Sequence, residues 1–321
     1  MVVGPSLTLD ARATLDAIGD VSSIAFERDL EVVIEKGAEK EYAKRPFGDG
    51  TLIPFSDMRD PVAEEITYYE YDRVGFWKRI SNYATDFGAV DVFARKRTYP
   101  VTPFGSSVRY SLQEIRRSQR LLANGRIGGI GLEQRKTNAC YEAYTDLLNH
   151  IFAYGDPETG LPGLLTHRNV PRSRAYYKLD SSSTPQQILF QLHSSANNMV
   201  ANTNLIASPD TLLLPVRQYH YCMTVSISSG DQTKILEDFI DSNPYINNVE
   251  PVNELAGAGT DGSDVAIYYS RDSDKLEAMI PQPIEFFPVD REGLDFFTPA
   301  HARIGGVHIH RPMEVNIVEG I

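Results

Sequence analysis

The sequence has no long apolar run. Thr211-Leu-Leu-Leu-Pro-Val216 is among the longest, well short of the roughly 20 residues a membrane-crossing helix needs. No membrane span is expected. Cysteine is nearly absent, with only Cys140 and Cys222 in 321 residues, which excludes the disulfide framework of a small secreted domain. Both lie in segments of helical periodicity and read as buried thiols. The opening Met1-Val-Val-Gly-Pro-Ser6 has neither the basic stretch nor the apolar core of a secretory signal, so cytoplasmic synthesis is expected. Basic charge is in deficit, with 31 Lys and Arg against 43 Asp and Glu for a net of −12. Unspecific binding to duplex DNA, which sets several cations against phosphates, is excluded on that count. Internal repeats, low-complexity tracts and heptads are absent too.

Catalytic signatures are also missing. The chain has no nucleotide P-loop, no His-Glu-x-x-His helix and no Gly-x-Ser-x-Gly elbow. Gly257-Ala-Gly-Thr-Asp-Gly262 spells a dinucleotide loop, but that chemistry needs a helix N-terminus directly after the glycines. The β-rich Val265-Ala-Ile-Tyr-Tyr269 follows instead, so a strand-connecting loop is expected. His308 and His310 share one face of an extended segment, where His301 could join them on a metal. No cysteine or carboxylate has a suitable spacing to complete the set, and half-exposed strand histidines are the expectation. No catalytic, cofactor or metal site is assigned.

What is present is enough apolar surface for a sizeable core, 42% hydrophobic residues with 23% charged, in one large or two modest domains. Charge is segregated along the chain. Residues 231–295 hold 15 acidic and 4 basic side chains, a net of −11, whereas residues 66–120 hold 5 and 10, a net of +5. A solvated surface without partners has little reason to segregate so, and head-to-tail contact between copies would use the difference.

Residues 22–35 space Phe26, Leu30, Val33 and Ile34 as one helical face, predicting an amphipathic arm helix. From 66 to 110 the chain turns aromatic and β-branched in two extended runs joined around 81–88, a long two-stranded hairpin. Such a ribbon is marginal alone in water. Its Arg73, Lys78, Arg79, Arg95, Lys96 and Arg97 point to a polar, partly acidic surface beneath it. Ser111-Leu-Gln-Glu114 spells a capping box, with Tyr110 and Ile115 placed to staple it, for a short helix ending at Asn124-Gly125. After the glycines at 125, 128, 129 and 131, the residues Leu132, Ala139, Cys140, Ala143, Tyr144, Leu147, Leu148, Ile151 and Phe152 form one stripe. They predict a helix of about six turns closed by Gly155, its stripe packed on the strands of residues 284–318.

Turn residues 156–165 and a basic, exposed loop over 167–178 precede a second domain. Thr184-Pro-Gln-Gln187 opens a helix through about Met199. A buried strand over 211–214, a helix from Pro215 through Cys222 and a helix capped by Asp231 follow, then strands over 249–255 and 265–269. The last 45 residues alternate with period two over 284–289 and 302–318.

Ile53-Pro54, Tyr71-Asp-Arg-Val-Gly75, Tyr110-Ser-Leu-Gln-Glu114, Gly155-Asp156, Gly160-Leu-Pro-Gly-Leu-Leu165 and Arg303-Ile-Gly-Gly306, in this order and among these elements, resemble the major capsid proteins of tailed bacteriophages. Thr166 departs from the asparagine that usually follows the Gly-Leu-Leu turn. The resemblance runs from about residue 22 to the end. It implies the α+β Hong Kong 97 coat fold, with an N-terminal arm over 1–65 and an extended β-hairpin loop over 66–110. A peripheral domain with a spine helix would span 111–183, an axial α/β domain 184–277, and return strands of the peripheral domain 278–321.

The same resemblance implies a structural subunit, not an enzyme, that self-assembles as hexamers and pentamers into an icosahedral shell around double-stranded phage DNA. An acidic wall suits a genome driven in by a motor. The virion would be its location and a bacterial cytoplasm its place of synthesis. A portal and, since no long leading segment is present, a separate scaffolding protein are implied partners, with neither cofactor nor membrane. Some relatives join neighbours by lysine to asparagine isopeptide bonds. Lys78 and Lys96 are the only hairpin lysines and sit away from the expected tip, so no cross-link is expected. The six basic hairpin residues are the expected inter-subunit contacts, and reversing Arg95 and Arg97 is expected to impair assembly. Alternative readings are an encapsulin-type compartment, which the same fold serves, and a metal-dependent enzyme using His301, His308 and His310.

Overall fold

The computed structural model describes residues 43–80, 82, 85, 87–123, 132–228 and 233–321. The arm helix expected over 22–35, the glycines at 125, 128, 129 and 131, and the expected cap Asp231 lie outside them. In chain order the elements are β1 (Glu65–Gly75), β2 (Val90–Pro100), β3 (Thr102–Ser111), α1 (Leu112–Ala123), α2 (Leu132–Tyr154), β4 (Arg172–Arg174), α3 (Pro185–Asn202), β5 (Thr211–Pro215), α4 (Val216–Thr224), α5 (Ile235–Ser242), β6 (Asn248–Val252), β7 (Val265–Tyr269), β8 (Leu276–Met279), β9 (Gln282–Phe286), β10 (Asp290–Glu292), β11 (Asp295–Ile304), β12 (Gly306–Ile309) and β13 (Val315–Glu319).

Local chemistry sets the helix starts. At α1 the Ser111 amide donates to the Glu114 carboxylate and the Glu114 amide to the Ser111 hydroxyl, each at 3.2 Å. At α3 the Thr184 amide donates to Gln187 Oε1 at 2.9 Å while Thr184 Oγ1 accepts from the Gln187 amide at 3.4 Å. Each cap satisfies amides that the helix itself leaves open, for about 1 kcal/mol. Helix α5 begins at Ile235, four residues after the expected cap. Glu237 accepts the Lys234 amide there, and Ile235, Leu236 and Phe239 are buried from the first turn.

Two cores meet across one sheet, ordered β4-β13-β7-β5-β6. Leu213, Ile267, Tyr269 and Ile317 face the end of α2, packing with Ile151 and Phe152. Their neighbours Leu212, Leu214, Ala266, Tyr268 and Val318 face the three helices α3, α4 and α5, among Leu192, Cys222 and Phe239. A sheet covered on both faces needs no polar alternation, and β5 and β7 are buried at every position. Cys140 and Cys222 are both free and buried.

Four expectations change. The chain leaves the hairpin at Pro100, because Ile66, Val101 and Met279 bury one another at that point. Strand β3 then pairs with β11, where Val108 and Tyr110 are covered together with Cys140 and Ala300. Residues 102–110 are therefore body, not loop. Strand β13 is not a peripheral return strand. It sits between β4 and β7 in the lobe sheet, since Ile317 and Val318 fill opposite cores. In α2, Ala139 and Ala143 are exposed and the covered stripe is Cys140, Tyr144, Leu147, Leu148, Ile151 and Phe152. The helix does pack on the C-terminal strands, through Ile284 and Ala300 near its start and Ile304, Val307 and Ile309 near its end. The loop over 167–178 is only partly exposed, as His167 and Val170 are buried. Residues 257–262 connect elements as a loop.

Candidate assembly ribbon and its root

Strands β1 and β2 pair antiparallel over eleven residues, from Glu65 opposite Pro100 to Gly75 opposite Val90. At about 3.3 Å per residue the ribbon is about 36 Å long. Beyond its first residues it has almost no cover from the described residues of its own chain. Tyr71 is 72% and Trp77, the sole tryptophan, 96% exposed, and Phe76, Ile80 and Phe87 near the tip are exposed as well. Aromatic surface presented so openly marks an interaction site.

Register separates the two faces, because directly paired residues point to the same side. One face carries the pairs Tyr68 with Arg97, Glu70 with Arg95, Asp72 with Phe93 and Val74 with Asp91. Its charges are mixed, and Arg97 is tied to Glu70 at 3.0 Å. The opposite face carries Tyr69 with Lys96, Tyr71 with Ala94, Arg73 with Val92 and Gly75 with Val90. Beyond Glu65 at its root, that face is apolar and basic with no acid.

Of the six basic residues expected at contacts, then, Arg73 and Lys96 share the apolar face, Arg95 and Arg97 the mixed one, and Lys78 and Arg79 sit beyond the paired strands, Lys78 nearer the tip than expected. The surface expected beneath the ribbon was polar and partly acidic. The aromatic face was not foreseen; its signal is Tyr69 and Tyr71 two apart, which join Val90 and Val92 on one face only once the register is known.

The root rests on segments far apart in sequence. Gly155 ends α2 at φ +74°, and the amides of Leu164 and Leu165 return to the carbonyls of Phe152 and Ala153 at 2.8 and 2.9 Å. The Pro162 carbonyl accepts the Val307 amide at 2.8 Å, and Gly306, at φ +76°, lies where a Cβ would meet that same carbonyl at 2.6 Å. The glycines at 155, 163 and 306 thus make one close-packed platform, because only glycine permits the approach at all three and the positive φ at 155 and 306. Thr166, at the position where asparagine was expected, donates to the Tyr154 carbonyl at 2.6 Å. On this platform Tyr99 stacks over His308, and Tyr68 meets the edge of His310.

Of the three histidines, His301 and His310 are half-buried, as expected, and His308 is not. His308 is completely buried, because strand β12 is covered at every position, and His310 pairs with Glu277 at 3.1 Å. His301 lines a groove beside α2 with Cys140, Tyr144 and Ile284. Among the described residues no three His, Cys, Asp or Glu side chains converge as a metal site, so His301, His308 and His310 do not form one. No helix among the described residues is long and apolar enough to cross a membrane.

A projecting ribbon on a two-core body is the arrangement of a shell-building coat subunit. Residues 77–321 match the family described as major capsid protein. The chain belongs to that family. The capsid of Myoviridae phage XM1 is similar over 92% of this chain and 98% of its own, with 17% identity and a TM-score of 0.76. A structure of Mycobacterium phage Ogopogo matches over 91% and 97%, at 14% identity and a TM-score of 0.59. The capsid of an empty GTA particle matches over 90% and 95%, at 9% identity and a TM-score of 0.58. No curated protein matches the sequence. The fold is the α+β Hong Kong 97 coat fold, the role is structural in a capsid shell built of many copies, the location is the virion, and the protein is not an enzyme. The family match lends no support to the encapsulin-type compartment.

Proposed function

We propose that the ribbon lays its Tyr69, Tyr71, Arg73, Val90, Val92 and Lys96 face on a neighbouring copy and so links subunits into hexamers and pentamers of an icosahedral shell around double-stranded DNA. The observation that carries this reading is a long, exposed apolar and basic face on a ribbon that the described residues of its own chain leave uncovered. Asp290, Glu292 and Asp295, all exposed on the β10–β11 hairpin, offer a complementary surface on the next copy. Such contacts are heterologous, and they close into rings where the rotation permits.

In this reading residues 65–100 are the extended loop and residues 1–64 an arm. The sheet of β3, β9, β10 and β11 with α1 and α2 is the peripheral domain, and the five-stranded sheet with α3 to α5 the axial one. A portal, a separate scaffolding protein, packaging without sequence-specific DNA contacts and synthesis in a bacterial cytoplasm rest on the family resemblance. Replacing Tyr71 and Val92 with serine tests the contact. The double variant is expected to keep its circular dichroism and to form no particles by electron microscopy, and normal particle yield from the folded variant would sink the proposal.

A further inference from the structure

The ribbon is seated at its root on histidines. The Tyr99 ring lies 4.0 Å from that of His308 and the Tyr68 ring 4.9 Å from that of His310, while the Tyr99 hydroxyl is 3.5 Å from His167 Nε2. His308 is 0% exposed. Its Nε2 faces the Gly305 carbonyl at 3.2 Å, and a carbonyl can only accept, so the neutral ring keeps its proton there. Its Nδ1 is buried with no hydrogen-bond partner.

The charged and titratable groups around it have other engagements. Glu277, opposite His308 on β8, is held by His310 at 3.1 Å and by Ser56. His167 Nδ1 accepts the Asn169 amide at 3.4 Å, and Arg97 on β2 is tied to Glu70. A proton reaching His308 Nδ1 therefore meets no acceptor among the described residues, and the neighbouring His310 and His167 oppose its charge.

We propose that the contact of Tyr99 with His308 makes the root an acid-releasable joint: protonation of His308 lifts Tyr99 and Tyr68 off their imidazoles and lets the ribbon swing while both cores stay folded. Burial holds the His308 imidazole well below its ordinary 6.5, at about 4, and burial lowers His167 as well. A released root returns both rings to water and to their ordinary range, so the released form binds more protons. The joint is then fully seated above pH 6.5 and loosens as the pH falls toward 4, the released population rising by up to about tenfold per pH unit for each ring that takes a proton.

The test is a distance measurement by pulsed electron paramagnetic resonance on the full-length chain. Spin labels at Asp91→Cys on the ribbon and Asp274→Cys on the body, in a Cys140→Ala background, are compared at pH 7.5 and 5.0. The parent is expected to show one narrow distance distribution at pH 7.5 and a broad one at pH 5.0. His308→Phe, which keeps a ring under Tyr99 without a titrating nitrogen, is expected to stay narrow at both. His308→Gln serves in its place if the phenylalanine variant does not fold. A parent distribution that stays narrow at pH 5.0, or a folded His308 variant that broadens as the parent does, overturns the proposal.

Discussion

Reversing Arg73 and Lys96 to glutamate strikes the apolar face of the ribbon, where no acid is present beyond the root. An exposed ion pair contributes about 0.5 kcal/mol, and a like-charge contact costs a similar amount. Two reversals then weaken each ribbon contact by roughly 2 kcal/mol. If each subunit places one ribbon on one neighbour, the concentration needed for assembly rises about 30-fold, since 1.4 kcal/mol is a factor of ten. Salt should narrow the gap, because the screening length falls from about 10 Å at 0.1 M to about 3 Å at 1 M, and assembly of the parent should slow as ionic strength rises.

Arg95 and Arg97 share the mixed face with Glu70, Asp72 and Asp91, so their double reversal is the matched control and is expected to cost less. Adding Asp290→Lys and Glu292→Lys to the first variant should restore part of the loss. Light scattering against concentration, with particles counted by electron microscopy and folding checked by circular dichroism, reads all three. Unchanged assembly of the folded Arg73 and Lys96 variant across the salt series would refute the electrostatic role, as would equal losses from the two double reversals.

Phe152, fully buried where the spine helix meets the lobe sheet, should lose about 3–5 kcal/mol of stability on replacement by alanine, read as a lower urea midpoint for the subunit. The Cys222 thiol is pushed up to about 12 by burial, so it should not react with a thiol reagent at pH 8 in the native chain but should react fully in denaturant. Labelling of Cys222 at the same rate in both conditions would show that its helix is open.

The capping boxes at Ser111 and Thr184, the length of the spine helix and the buried strand at Thr211 were legible because each depends on neighbours in sequence: a hydroxyl three residues before an acid or amide, a period near 3.6, or an unbroken apolar run. The order of elements and the spelled motifs sufficed to place the chain among coat proteins. Other features depend on what packs against a segment, and there the sequence was silent or misleading. The ribbon's two faces exist only once Tyr71 is registered against Ala94 and Arg73 against Val92, since a shift of one residue exchanges every side chain between faces. Alternation in the last segment suggested half-exposed histidines, which holds for His301 and His310, but His308 is buried because its strand is covered on both sides and Tyr99 arrives from a strand 209 residues earlier. The same distant packing ends the loop at Pro100, where burial of Ile66, Val101 and Met279 fixes the root, and carries β13 into the lobe sheet. Local hydrogen bonding and periodicity, which the sequence encodes directly, chose the elements, whereas contacts between distant residues decided their faces, their ends and the seat of the ribbon.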